Sequence, residues 1–93
     1  MIDCQIRAAD RNGVLQLDAI ASSRAPSRGQ YRLEVIKNSS SGSSQNIQSG
    51  EFALEPDLSA VLTTVVLDGS AVGHYRATLR ITSQSGSVTC VSP

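Results

Sequence analysis

Residues 29–37 read Gly-Gln-Tyr-Arg-Leu-Glu-Val-Ile-Lys, and this stretch decides the fold. The apolar side chains of Tyr31, Leu33 and Val35 alternate with the charged side chains of Arg32 and Glu34. Successive side chains of a β-strand point to opposite faces of a sheet, whereas a helix repeats its apolar positions every three or four residues. The pattern therefore predicts a strand with one buried face and one solvent-exposed face.

The same period of two continues along most of the chain. We predict further strands at Cys4–Ala9, Leu15–Ala21, Gln45–Leu54, Leu58–Leu67, Gly73–Thr82 and 88–90. Asn12-Gly13 is a typical tight hairpin turn, and Ser22–Arg28, which contains Pro26, is expected to be a loop. Short strands at about ten-residue spacing without helices favour an immunoglobulin-like antiparallel β-sandwich of about seven strands. We expect a single all-β domain over residues 1–93, with an ordered core at 4–91 and a mobile Ser/Gly loop at 39–44.

Three features of the sequence carry more specific expectations. Leu58–Leu67 is uncharged and rich in β-branched residues, which is typical of an interior strand and of aggregation-prone segments, and Asp57 and Asp68 flank it. Gly50 marks a plausible β-bulge in its polar strand. The openings Gly29-x-Tyr31 and Gly73-x-Tyr75 echo each other, and we interpret them as two strands that solve one packing problem.

Composition limits both the core and the partners. The chain has 93 residues, 40% of them apolar, with two Tyr, one Phe and no Trp, so the core must be aliphatic. Eight basic and eight acidic residues cancel, so no overall field would attract nucleic acid or an anionic membrane surface. We expect a monomer, and any electrostatic recognition has to be local.

Cys4 and Cys90 lie far apart in the sequence, and only one His is present, which effectively excludes a zinc site. A Cys4–Cys90 disulfide and two buried free thiols are the alternatives, and we favour the disulfide. A disulfide requires an oxidising compartment. No apolar run approaches the ~20 residues of a membrane span, and the first residues do not resemble a signal peptide. We therefore expect a protein of an extracytoplasmic compartment whose signal has been removed.

Catalytic chemistry finds little support in the sequence. His74 is the only imidazole, and we interpret it as an ordinary surface histidine. None of the serines lies in a Gly-x-Ser-x-Gly elbow, and Glu51, Glu55 and Asp57 are interpreted as solvated loop charges. We expect no enzyme activity, no metal and no cofactor.

One charged pattern is more suggestive. Arg76 and Arg80 share one face of the penultimate strand with Thr78 between them, and Arg32 occupies the matching face of the 29–37 strand. If the two strands are neighbours, Arg32, Arg76, Thr78 and Arg80 form a positive, partner-binding stripe, which Glu34 partly offsets. The simpler interpretation is a solvated sheet face; the functional one is a surface that attracts an acidic, extended partner.

Four segments also carry a resemblance to a known family: Gly29–Leu33, Gln48–Phe52, Gly73–Leu79 and Val88–Cys90. In this order, with a Ser/Gly loop before Gln48, they resemble the CsgC/CsgH-like curli assembly proteins over most of the chain. The resemblance implies an immunoglobulin-like sandwich in the periplasm. It also implies a non-catalytic protein that keeps the amyloid-forming curli subunit (CsgA-like), in its unfolded state, from polymerising before secretion.

The sequence departs from the CsgC-like members of that family at one point. Those relatives carry a Cys-x-Cys pair near the C-terminus, whereas Thr89-Cys90-Val91-Ser92 contains one cysteine. A redox role is therefore in doubt here. A second class of function is a structural accessory module of a surface fibre or adhesin that binds by strand addition, for which Ala60–Leu67 is the candidate if it lies at a sheet edge.

Overall fold

The computed structural model describes residues 2–40, 42–84 and 86–92. Within these ranges the chain forms seven β-strands and one short 3₁₀ turn. They are β1 (Ile2–Arg11), β2 (Val14–Ser23), β3 (Ser27–Ser39), β4 (Gly42–Leu54), β5 (Ser59–Asp68), the 3₁₀ turn Gly69–Ala71, β6 (Tyr75–Ser83) and β7 (Gly86–Ser92).

The strands form two antiparallel sheets. Sheet 1 has the order β1-β2-β5 and sheet 2 has the order β4-β3-β6-β7. This arrangement confirms the predicted immunoglobulin-like sandwich. In a constant-type immunoglobulin domain the fourth strand lies in the first sheet, whereas here β4 pairs with β3 and widens the second sheet.

The core between the sheets is aliphatic, as the composition predicts. Its fully buried side chains include Leu17 from sheet 1 and Leu33, Leu79 and Ile81 from sheet 2. The three aromatic residues are only partly buried and pack against this cluster. Leu33 lies directly opposite Leu79, so β3 and β6 form the centre of sheet 2.

The first two connections are short. Asn12 and Gly13 both have positive φ angles (52° and 79°) and join Arg11 to Val14 in a two-residue turn, the conformation that an Asn-Gly hairpin favours. The predicted loop Ser22–Arg28 is longer than the observed one, which covers residues 24–26. The strands extend further because the buried Ser27 hydroxyl donates to the Ser23 hydroxyl at 3.2 Å and ties the two strand ends together.

The position predicted for Leu58–Leu67 is wrong. β5 pairs only with β2 and is the edge strand of sheet 1. The register shifts opposite Ala19 and Ile20, so that Leu62 is an extra residue and β5 carries a β-bulge. The bulge breaks the alternation of apolar residues, and the resulting apolar run is therefore no sign of burial on both faces.

The bulge predicted at Gly50 is also wrong, because the β3–β4 register is continuous from Ser27–Leu54 to Ser39–Gly42. Gly50 lies opposite Tyr31, and a Cβ there would lie 2.9 Å from the Tyr31 hydroxyl. Gly29 lies opposite Phe52, and a Cβ there would lie 3.0 Å from Phe52 Cζ. Each strand thus provides one glycine over which the aromatic ring of the other strand lies.

The two Gly-x-Tyr openings are alike in sequence, but their glycines and tyrosines have different surroundings in the structure. Gly73 has a φ of 77° in the turn before β6, where the His74 amide donates to the Ala71 carbonyl at 2.8 Å. The Tyr75 hydroxyl lies 3.3 Å from the Ser92 hydroxyl, far from any glycine partner of the Tyr31 type. The single packing problem proposed for both motifs is therefore wrong.

Strand pairing continues into the serine-rich segment. Lys37 lies opposite Ser44 and Asn38 opposite Ser43, so the two 13-residue strands extend almost to the hairpin tip. Residue 41 and the side chain of Ser39 lie outside the described part. The mobility of residues 39–44 stays a prediction.

Besides the Ser27–Ser23 hydrogen bond, two side-chain links connect the sheets within the described ranges. Cys4 of β1 and Cys90 of β7 form a disulfide with a Cα–Cα distance of 6.1 Å, which joins an edge strand of sheet 1 to an edge strand of sheet 2. Lys37 Nζ of β3 lies 3.5 Å from Asp68 Oδ1 at the end of β5. Hydrogen bonds from Ser70, helped by Lys37, lower the pKa of the exposed Asp68 carboxyl.

The paired glycines predict an asymmetric response to alanine. We expect Gly29→Ala to destabilise the protein by about 1–3 kcal/mol, because the new methyl group would collide with the backbone carbonyl of Thr82. Gly50→Ala meets only the Tyr31 side chain and should cost less than about 1 kcal/mol, because that ring can rotate away. Urea unfolding of the two variants measures both losses. Equal losses would contradict this account.

Candidate functional site

The candidate site is the outer face of sheet 2. Leu33 and Val35 of β3 and Ala77 and Leu79 of β6 are buried, so the residues between them on each strand point to solvent. The outer residues in β3 are Arg32, Glu34 and Ile36, and those in β6 are Arg76, Thr78 and Arg80. The sequence therefore assigned these side chains to the correct face.

Pairing of β3 with β6 brings the predicted residues together. Arg32 lies opposite Arg80, Glu34 opposite Thr78 and Ile36 opposite Arg76. Arg76 and Arg80 are four residues apart on one strand, which is about 13 Å along the sheet. We call Arg32, Arg76 and Arg80 the arginine stripe; all three side chains are exposed.

The described residues leave the arginine stripe without an ion-pair partner. Glu34, the predicted partial offset, accepts a hydrogen bond through Oε2 from Gln45 Nε2 of β4 at 2.8 Å. Its side chain also lines one depression together with Arg32 and Arg80, so it lowers the local positive charge without forming an ion pair.

Arg32 and Arg80 are like charges at directly opposite positions of an antiparallel pair. Cβ atoms at such positions are about 5 Å apart, and like charges there are destabilising. Screening by water reduces the repulsion but does not convert it into attraction. The pair therefore costs folding stability and presents two planar donor groups to one acceptor from outside.

The shape of the surface limits what can bind. A shallow depression of about 280 Å³ is lined by Arg32, Glu34, Thr78 and Arg80. Pockets for small molecules are usually larger, about 300–1,000 Å³, and more enclosed. The depression suits one side chain of an extended partner better than a free metabolite.

Sequence reasoning missed the apolar residues beside the stripe. Ile47 of β4 and Val91 of β7 lie in the row of Glu34 and Thr78, and Ile36 lies opposite Arg76. Their exposed fractions are 46% for Ile47, 62% for Val91 and 38% for Ile36. Their positions depend on the register of the edge strands with β3 and β6, and the alternation within one strand does not reveal that register.

The groups considered for catalysis are not assembled into a site. His74 is exposed, and within the described residues only its backbone, not its imidazole, takes part in hydrogen bonds. Glu51, Glu55 and Asp57 are all exposed. The described ranges contain no cluster of three or more His, Cys, Asp or Glu side chains that could hold a metal ion. They also contain no helix long and apolar enough to cross a bilayer.

Repulsion within the Arg32–Arg80 pair predicts a stabilising substitution. We expect Arg80→Gln to raise the free energy of unfolding by a few tenths to about 1 kcal/mol at low ionic strength. Arg76→Gln is the matched control, because Arg76 lies on the same strand and face but opposite Ile36. In ~1 M salt the difference between the two variants should vanish, since the Debye length falls to about 3 Å. Chemical denaturation at two salt concentrations measures it, and a less stable Arg80→Gln variant at low salt would refute the repulsion.

The chain is similar in fold to two solved structures. The solution structure of CsgH from R. palustris has a TM-score of 0.83 and 28% identity, with 98% of this chain and 90% of that chain covered. The E. coli curli protein CsgC has a TM-score of 0.85 and 15% identity, with 100% and 99% covered, which is a likeness of fold alone. Curated protein sequences give no match. The family model described as CsgH protein matches residues 3–92, and the chain therefore belongs to the CsgH family.

Proposed function

We propose that this protein is a chaperone-like inhibitor that prevents premature amyloid polymerisation of the curli subunit. Its partner would be the unfolded, CsgA-like subunit, held by weak, transient, charge-steered contacts. The observation that carries the proposal is the arginine stripe, in which Arg32 and Arg80 lie directly opposite each other and form no ion pair among the described residues. Membership of a curli-related family supports the choice of partner.

The positive charge of the arginine stripe explains how a protein without net charge can recognise a disordered chain. The eight basic and eight acidic residues cancel over the whole chain, so a long-range field is absent and a local one is concentrated on sheet 2. Complementary local charge raises the rate of encounter more than it raises affinity. Guanidinium groups donate to carboxylate and amide oxygens in planar geometry, so acidic or amide-rich stretches are the expected targets.

The apolar residues around the stripe favour a brief hold on a passing chain. Ile47 and Val91 lie on either side of the Glu34–Thr78 pair and remain about half exposed. Contact with them removes little apolar surface from water. Each Å² that is removed stabilises the complex by only roughly 25 cal/mol. A partner would gain enough to pause but not enough to remain bound, which suits an inhibitor that acts on many chains in turn.

The proposed setting is the periplasm, with the protein acting as a monomer and without catalysis or cofactor. The Cys4–Cys90 disulfide supports an oxidising compartment, because such bonds persist there and are rare in the cytosol. The single cysteine in β7 is engaged in that bond, which supports a structural rather than a redox use of Cys90.

A second candidate is a structural accessory module that joins a fibre or adhesin by strand addition. The edge position of β5 favours it, because strand addition needs an open edge. The two candidates differ in stoichiometry. A module forms a stable complex that co-elutes with the purified subunit in size-exclusion chromatography, whereas a transient inhibitor elutes alone.

The stripe is tested by fibrillation of the curli subunit, followed by thioflavin fluorescence at strongly substoichiometric ratio. We expect the parent to prolong the lag phase and the triple variant Arg32→Ala, Arg76→Ala, Arg80→Ala to lose most of that delay. The matched control is Arg7→Ala, Arg11→Ala, Arg24→Ala, which removes the same charge from exposed positions away from sheet 2. The control should delay fibrillation as the parent does. If the stripe variant inhibits as well as the control, the stripe is not the mechanism.

A further inference from the structure

β5 is an edge strand of sheet 1. Between Asp57 and Asp68 this segment has no charged side chain and no proline. Natural sheet edges are usually protected by charges, prolines or covering elements, because an open edge pairs with other chains. β1 carries Asp3, Arg7 and Arg11, and the disulfide joins it to β7. Before Asp68, β5 has neither charges nor a disulfide, and its one irregularity is the bulge at Leu62.

Exposed apolar side chains gather around this edge. Leu58 is 60% exposed, Val61 53% and Val66 59%, and the last two project from the outer face of β5. Val14 of β2 is also exposed, and it lies diagonal to Val66 because Val14 pairs with Asp68 and Gln16 with Val66. The outer face of sheet 1 therefore has an apolar border along its open edge.

The bulge divides the edge into two parts. Thr63–Asp68 pairs with β2 in a regular register, and Ser59–Val61 pairs in a register shifted by the extra residue Leu62. The longer regular part spans six residues, which is about 20 Å. A chain that pairs with it can keep a regular ladder only over that length, because the face of every side chain changes at the bulge.

We propose that the β5 edge at Thr63–Leu67 binds one short, extended, uncharged segment of an unfolded polypeptide as an additional antiparallel strand of sheet 1. The composition of β5 selects this occupant. It offers β-branched side chains, no charge before Asp68, and the Asp68 carboxylate next to Leu67, so it complements an uncharged segment with a cationic residue at the end that meets Asp68. The Asp68 side chain keeps 70% of its surface exposed although Lys37 contacts it.

Because of the bulge, the β5 edge can bind a β-prone segment without acting as a template for polymerisation. A segment bound at Thr63–Leu67 has its pairing edge occupied, and the bulge prevents a longer strand from forming on the same template. The edge thus captures a β-prone segment without serving as a seed. That the captured chain is the curli subunit rests on the proposed function; that the edge binds an extended segment does not.

The test uses a capped peptide, Lys-Thr-Thr-Val-Val-Leu-Lys, in which the residues of Thr63–Leu67 are flanked by lysines. Titration into the ¹⁵N-labelled full chain should shift the amide signals of Thr63–Leu67 and slow their hydrogen exchange. A control peptide with proline in place of the first valine should not, because it lacks the central N–H of the ladder. The peptide carries no carboxylate, so its binding is independent of the arginine stripe.

Two single variants with the same added charge make the test specific. Val66→Lys places a lysine on the β5 edge and should weaken peptide binding about tenfold or more, which corresponds to about 1.4 kcal/mol. Gln5→Lys places it on the same face of sheet 1 but on β1, two strands away from β5, and should bind as the parent does. Both positions are exposed, so both variants should fold.

The proposal is overturned if the β5 amides are unaffected by the peptide, if the proline peptide binds equally well, or if Val66→Lys binds as the parent does. Peptide binding by a protein that does not delay fibrillation would refute the proposed function and leave the edge site standing. Delayed fibrillation without peptide binding would refute the edge site alone.

Discussion

Pairing of β3 with β6 is the interaction on which the rest of the structure depends. The same register that places Leu33 opposite Leu79 in the core places Arg32 opposite Arg80 on the outer face. A slip by one residue would expose the leucines and bury the guanidinium groups, at a cost of several kcal/mol for each buried charge. The aliphatic core therefore fixes the position of the arginine stripe, although the arginines themselves repel each other.

The two sides of the sandwich are closed in different ways. On one side the Cys4–Cys90 disulfide joins β1 to β7. On the other side β4 and β5 are edges without a covalent link, and each carries a feature that its composition did not predict. β4 accepts the Tyr31 ring over Gly50, and β5 contains the bulge at Leu62. The proposed binding surfaces are the outer face of sheet 2 and the edge of sheet 1 formed by β5, so two segments of one unfolded chain could engage them at different places.

The sequence was sufficient for the fold class and for the orientation of the side chains in β3 and β6. Alternation alone shows which side chains face inward, because the period of a strand is two. It does not show which strands are neighbours, so it reveals neither that Leu58–Leu67 is an edge strand nor that Ile47 and Val91 lie beside the stripe. Apolar composition indicates that a strand has a buried face; it does not show whether one or two strands pair with it. The glycines were ambiguous for a related reason: Gly50 leaves room for a ring on the neighbouring strand, and that strand is identified only by the register.

The central claim is that an unfolded partner meets the outer face of sheet 2 through its arginines. The most direct measurement is an NMR titration of the ¹⁵N-labelled protein with the unfolded curli subunit at low and at high salt. We predict fast-exchange shifts at Arg32, Thr78 and Arg80 and at their row neighbours in β4 and β7, which shrink as salt screens the charges. Shifts that leave β3 and β6 unchanged, or that are insensitive to salt, would contradict the account.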